Sequence, residues 1–192
     1  MGLPVKKIKV SVNEYLELEN SVTQKHELIE GEMYAMTGTT RMHNRIVGNI
    51  FAYLHPLMKG KLCRLYFFDI RVHVEMTDLI TYPDLVITCE EELLRDTFID
   101  TLLNPKCIIE VLSDSTEKYD RGEKFSHYQK IENLTEYILV SQNKFTVESY
   151  IRDKNNKWIY SIQEGQKSIL TINTIEINIP LETIYFDTDD LK

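Results

Sequence analysis

The sequence predicts a mixed α/β (α+β) fold with a β-rich C-terminal part, and three features carry that expectation. YPDLVIT and KCIIEVLS are short apolar runs with little alternation, which is how strands covered on both faces look. From Thr40 to Met58, apolar residues recur at three- and four-residue steps, the mark of a helix with one buried stripe. Between KCIIEVLS and EYILVS lies a polar segment punctuated by Tyr119, Phe125, Tyr128 and Ile131, suited to a helix, so a strand–helix–strand unit results.

The elements follow in chain order. SVNEYLELE opens with Ser11 and places Glu14 three residues on, a capping box in which each side chain satisfies the other's free backbone N–H at the start of a first helix. HELIEGEMYAM reads as a hairpin around Glu30-Gly31, with Gly31 suited to positive φ. Ile46, Val47, Ile50, Phe51 and Leu54 form the stripe of the longer helix, and His43 lies on it. LCRLYFFDIRVHVEM alternates Ile70, Val72 and Val74 with polar residues and reads as one half-buried strand. After EYILVS, FTVESYIRD and KWIYSIQ flank a turn at Lys154-Asn155-Asn156, and later apolar runs end in IPLETIYF as a β-rich tail. EELLRD and the acidic DTDD read as solvated surface, and Met33, Met36, Met42 and Met58 as core filler. No repeat or Pro/Gly/Ser-rich linker interrupts the 192 residues, so one domain over 1–192 is expected.

Composition excludes several classes. The 43% hydrophobic content suffices for a core, and no run approaches the roughly 18 to 20 apolar residues of a membrane span, so a cytoplasmic protein without membrane or lipid anchor is expected. Cys63, Cys89 and Cys107 are scattered without CxxC spacing, which reads as unpaired thiols rather than a zinc site or disulfide framework. A net charge of −8 lacks the global basic signature of a duplex binder; the small basic clusters Lys6-Lys7-Lys9, Lys59-Lys61-Arg64 and Lys118-Arg121-Lys124 read as solvated faces. No Walker loop, GxSxG elbow or HExxH helix occurs.

Two carboxylates stand out. Asp84 follows Pro83 at the head of one central strand, and Glu110 lies between Ile109 and Val111 in another. Ionised carboxylates are costly to bury unless they bind metal, pair with a cation or do proton chemistry. Side by side, the two offer hard oxygen ligands around which water and phosphate oxygens complete the octahedron that Mg²⁺ demands, and such an ion equips a site for phosphodiester hydrolysis. Lys124 is the candidate cation: Asp120, Lys124 and Tyr128 stand four apart, within about 80° of one helix face at about 100° per residue. Glu27 shares an inward strand face with Ile29.

Taken in order, HELIEGEMYAM, His43, YPDLVI, IIEVLSDST, the D-x-x-x-K-x-x-x-Y spacing and EYILV resemble the Uma-two family of restriction-endonuclease-like proteins, within the PD-(D/E)XK nuclease superfamily, over roughly residues 10 to 185. The resemblance implies a restriction-endonuclease-like mixed central sheet flanked by helices, with Mg²⁺ or Mn²⁺ at the strand ends and DNA as substrate. Asp84 and Glu110 would be the metal-binding acids, with the backbone carbonyl of Val111 as a further ligand. The superfamily's lysine would stand at position 112, where this chain has Leu112, and Lys124 would replace it. Glu27 and His43 would join the pocket, and a two-fold homodimer is expected so that both strands can be cut.

Each residue also has a structural reading. Asp84 can accept backbone N–H groups, Glu110 can pair with a cation, and Asp120 can hold Lys124 as an i,i+4 pair. His43 can be a satisfied core histidine and Tyr128 a packing residue with a polar tip. Three functions stay open: a divalent-metal-dependent endonuclease, a catalytically silent nuclease-fold protein that binds nucleic acid or a protein, and a metal-dependent phosphatase for small esters.

Overall fold

The computed structural model describes residues 9–95 and 98–188. One sheet runs in the order β2-β1-β5-β4-β8-β7, built from β1 (His26–Ile29), β2 (Glu32–Ala35), β4 (Arg71–Val74), β5 (Leu79–Thr81), β7 (Leu94–Arg95) and β8 (Phe98–Leu102). The second runs β12-β11-β10-β9-β6-β3, from β3 (Arg64–Phe67), β6 (Leu85–Thr88), β9 (Cys107–Leu112), β10 (Glu136–Ser141), β11 (Thr146–Arg152) and β12 (Trp158–Glu164). A hairpin of β13 (Ile169–Ile172) and β14 (Ile177–Pro180) follows.

The first helix, α1 (Val12–Glu19), has the expected reciprocal Ser11–Glu14 capping box. The β1–β2 turn places both Glu30 (φ 50°) and Gly31 (φ 83°) in the left-handed region, as a tight hairpin turn requires. The long helix α2 (Arg41–Leu57) starts at Thr40, whose hydroxyl accepts from the His43 N–H. Its stripe of Met42, Ile46, Val47, Ile50 and Leu54 packs against Leu85 and Ile87 of β6 and Cys107, Ile109 and Val111 of β9. The alternate residues of β9, Ile108 and Leu112, face a second core with Phe125, Tyr128, Tyr137 and Leu139. Strand β9 is therefore buried on both faces, which is why its sequence does not alternate.

Several expectations are corrected. LCRLYFFDIRVHVEM is two strands in different sheets: Phe68 (φ 47°) and Asp69 (φ 48°) break the chain between β3 and β4, and all four residues of β4 are buried. Its alternation reflected two separate environments rather than one half-exposed strand. Within EELLRD, Leu94 and Arg95 form β7 against β8. The tail is β-rich as expected, with one short helix, α5 (Leu181–Ile184), inside IPLETIYF. Cys63 and Cys89 form a disulfide, while Cys107 is free and buried. The register Arg64↔Thr88 makes positions 63 and 89 the next opposed pair, a neighbourhood that spacing along the chain does not reveal. Asp189 and Asp190 of DTDD, Lys6 and Lys7 of the first basic cluster, and Asp96 of EELLRD lie outside the described residues. No described helix is long and apolar enough to cross a membrane.

The segment after β9 is one helical stretch with an irregular middle: α3 (Glu117–Tyr119), a π-helical turn over Asp120–Lys124, and α4 (Phe125–Tyr128). Strand β10 then returns parallel to β9 in the register Leu139↔Glu110. A π turn inside a helix is uncommon and concentrates at functional sites. Here it contains both Asp120 and Lys124.

Candidate active site

Strands β6 and β9 pair antiparallel with Leu85↔Ile109, so one step further Asp84 faces Glu110. Opposed residues of an antiparallel pair project their side chains to the same face, which brings the two carboxylates side by side where β6 begins. Asp84 is held at both oxygens: Oδ2 accepts from the Val111 N–H at 2.7 Å, and Oδ1 lies 2.8 Å from His43 Nε2. Since the N–H and C=O of an extended residue point the same way, the Val111 carbonyl lies toward the Asp84 edge as well.

Glu110 is held by side chains instead. Its Oε1 is 2.8 Å from Lys124 Nζ and accepts from the Tyr128 hydroxyl at 3.1 Å; that hydroxyl is also 2.7 Å from Thr81 Oγ1. Lys124 Nζ is 3.6 Å from both Glu27 Oε1 and Asp120 Oδ1. Glu27 in turn accepts the Tyr82 N–H at 3.4 Å. Lys124 is 5% exposed and Glu110 5%, so this ammonium is an interior group, unlike the solvated face expected of Lys118-Arg121-Lys124. Arg121 leaves that cluster too, bridging Glu117 and Glu148.

Burial pushes the Glu110 carboxyl up to about 8, against the pull of Lys124 and with the help of Asp84 and Asp120. Lys124 is raised well above its ordinary value: burial alone would lower it, and the carboxylates of Glu110, Glu27 and Asp120 overcome that. Four carboxylates, Glu27, Asp84, Glu110 and Asp120, thus surround a single lysine and histidine. They border a cleft of about 290 Å³ whose mouth carries Thr40, Ser113 and Tyr119.

Residues 12–182 match Uma2, a family described as "Putative restriction endonuclease". The chain belongs to the Uma2 family. Two uncharacterized proteins of Synechocystis sp. are similar to it: slr1290 at 31% identity, over 92% of this chain and 92% of that protein, and sll1609 at 29%, over 85% and 93%. Among solved structures, a putative nuclease belonging to DUF820 from Anabaena variabilis superposes with a TM-score of 0.74 at 16% identity, covering 92% of this chain and 97% of the other. The Uma2 chain therefore has a restriction-endonuclease-like fold, mixed in α and β as expected.

In this Uma2 chain the seven side chains nominated from sequence fall in two neighbouring groups: His43 with Asp84, beside Val111, and Glu27, Asp120 and Tyr128 with Lys124 and Glu110. Tyr128 reaches Glu110 through its hydroxyl while its ring packs in the core. Thr81 and Tyr82 were not singled out; their signal was adjacency to Pro83-Asp84. Among the described residues no three His, Cys, Asp or Glu side chains close into a metal cage. The donors at hand, two carboxylates and a main-chain carbonyl, instead match an ion that keeps several waters, as Mg²⁺ does. The surplus of carboxylates over cations fits a divalent charge.

Proposed function

We propose that this protein is a divalent-metal-dependent endonuclease that hydrolyses DNA phosphodiester bonds. The observation that supports this best is the opposition of Asp84 and Glu110 with the Lys124 ammonium delivered onto Glu110 from the facing helix. Asp84, the free oxygen of Glu110 and the Val111 carbonyl are the groups to hold Mg²⁺ or Mn²⁺. Such an ion, when bound, supplies Lewis-acid polarisation of a phosphoryl oxygen and a more acidic water.

The remaining roles belong to the chain itself. His43 and the Val111 N–H fix the Asp84 carboxylate in orientation. Tyr128, backed by Thr81, fixes Glu110. Lys124 is held protonated, so it serves as a fixed positive charge for the pentavalent phosphate rather than as a base. Glu27 and Asp120 keep it in place. This is the position in which a lysine at 112 would otherwise be needed.

A binding-only nuclease fold is the second reading, favoured by one observation: Lys124 is already engaged by three carboxylates of the chain itself. Plasmid and linear DNA incubated with Mg²⁺, Mn²⁺ or EDTA separates the two. Divalent-dependent cleavage that disappears in both Asp84→Ala and Glu110→Ala is the expected result. Cleavage that survives both substitutions sinks the nuclease assignment of this site, and metal binding without cleavage of any DNA favours the second reading.

A further inference from the structure

The charge of this chain is segregated. It carries −8 overall, yet residues 33–68 contain no aspartate or glutamate and five basic residues, Arg41, Arg45, Lys59, Lys61 and Arg64. At the chain's own frequency of 30 acidic residues in 192, a stretch this long would hold about five or six. The remainder of the chain therefore carries −13. The basic residues of the stretch lie on α2, on the turn that follows it and on the edge strand β3.

The exposed face of α2 runs Arg41, Asn44, Arg45, Gly48 and Ala52, with no carboxylate on the helix. A groove of about 650 Å³ follows Arg41, Asn44, Arg45 and Gly48, and it meets the candidate cleft at Thr39 and Thr40, which line both. Arg45 shares a 3.0 Å exposed pair with Asp187, whereas Arg41 makes no ion pair among the described residues.

An aromatic row adjoins this face. His55 stacks on Phe51 at 5.1 Å between centroids, Phe51 meets Phe67 at 4.0 Å, and Phe67 meets Phe68 at 5.1 Å. At about 100° per residue, Phe51 and His55 lie within about 80° of Arg41 around the helix. Phe67 is 42% exposed and Phe68 38%, large apolar rings left in water. The row ends beside the segment that carries Asp84, because the Phe68 N–H donates to the Asp84 main-chain carbonyl at 3.4 Å. Phe68 and Asp69 both hold positive φ, a conformation that a bulky residue such as Phe68 seldom adopts.

We infer that the substrate is single-stranded DNA, which crosses the outer face of α2 with phosphates on Arg41 and Arg45 and bases stacked on Phe67 and Phe68 as it enters the cleft beside Asp84. The inference rests on the nuclease reading for its destination but not for its binding surface. Aromatic rings along a basic groove are how single strands are held without sequence preference, since every unpaired base offers a π face. A duplex hides those faces, and as a wide, dense polyanion it also meets the −13 remainder. A flexible single strand fits a narrow track confined to one helix and one strand edge.

Fluorescence anisotropy in EDTA tests binding apart from cleavage, using a labelled oligonucleotide and the duplex of the same sequence. The single strand is expected to bind more tightly than the duplex. Phe67→Ala/Phe68→Ala should weaken single-strand binding about tenfold. Arg41→Ala/Arg45→Ala should reduce the slope of log affinity against log salt by about 1.4. Thermal melts check folding, and should the phenylalanine variant melt early, Arg41→Glu alone must still weaken binding. Equal or tighter binding of the duplex, or single-strand binding indifferent to the folded variants, overturns the inference. Single-strand binding that depends on these residues without cleavage under any metal keeps the binding surface, with single-stranded DNA as ligand rather than substrate, and removes the nuclease reading; cleavage of DNA with binding indifferent to them does the reverse.

Discussion

Asp84 and Glu110 face each other across β6 and β9, but they are restrained differently: Asp84 is locked by a main-chain N–H and His43, Glu110 by Lys124 and Tyr128. A locked carboxylate arrives at a cation already oriented, and partners of this kind contribute about 10- to 100-fold to metal affinity. His43→Ala should lower Mn²⁺ affinity by that range in titration calorimetry, with a thermal melt to confirm that the variant, which loses a buried partner of Asp84, is still folded. Unaltered affinity would remove His43 as the positioning residue of Asp84.

Lys124 is the only ammonium within 4 Å of Glu110, Glu27 and Asp120 among the described residues. Taking away one partner of a buried ion pair strands the other charges, which costs about 3 kcal/mol or more. Lys124→Met should therefore destabilise the metal-free protein by about that amount at pH 9, where Glu110 is otherwise ionised. At pH 6 the loss should be smaller, because Glu110 already carries a proton there. Urea unfolding at the two pH values measures the difference, and equal losses would mean that Lys124 contributes through packing alone.

How these groups meet was only partly legible in the sequence. The unbroken apolar runs around Asp84 and Glu110 revealed doubly covered strands because burial on both faces leaves no alternation. The four-residue spacing of Asp120, Lys124 and Tyr128 was visible, but the π turn over Asp120–Lys124 was not, since no local residue pattern marked it and its contacts to Glu110 and Tyr137 come from distant strands. The break at Phe68-Asp69 was hidden for a different reason: Asp69 tolerates positive φ but Phe68 does not favour it, so nothing in the local sequence marked the break. The Cys63–Cys89 pair likewise depends on the β3–β6 register, information that exists only once the sheet has formed.

The Glu110 carboxyl gives the metal-free protein a characteristic pH dependence. Its folded value, pushed up by burial to about 8, lies above the ordinary carboxylate value, so between about 4.5 and 8 the native state holds a proton that the unfolded chain has lost. Stability from this group is then fully present at low pH and falls as pH rises through that window, by up to about 1.4 kcal/mol per unit. Glu110→Gln should flatten the slope in urea titrations run in EDTA. Because cation binding needs the ionised form, Mn²⁺ should raise the melting temperature more at pH 9 than at pH 6. A wild-type slope identical to that of Glu110→Gln would show that Glu110 does not govern it.

Leu112 offers the strictest test of what Lys124 does. It sits two residues beyond Glu110 on β9, so both side chains leave the same face about 7 Å apart along the strand. Leu112 packs in the same core as Phe125 and Tyr128, the residues that flank the Lys124 turn. A lysine at 112 can therefore reach Glu110 from the strand, while Lys124 reaches it from the helix. If the site needs a positive charge at Glu110 from either direction, Lys124→Ala should lower DNA cleavage about 100-fold or more, and Leu112→Lys in that background should recover about tenfold. Leu112→Lys in the otherwise native chain should give no gain and should lower stability, because a second ammonium is then buried without its own partner. A double variant no more active than Lys124→Ala would mean that the direction of approach matters, and that the π turn is required to aim the charge as well as to carry it.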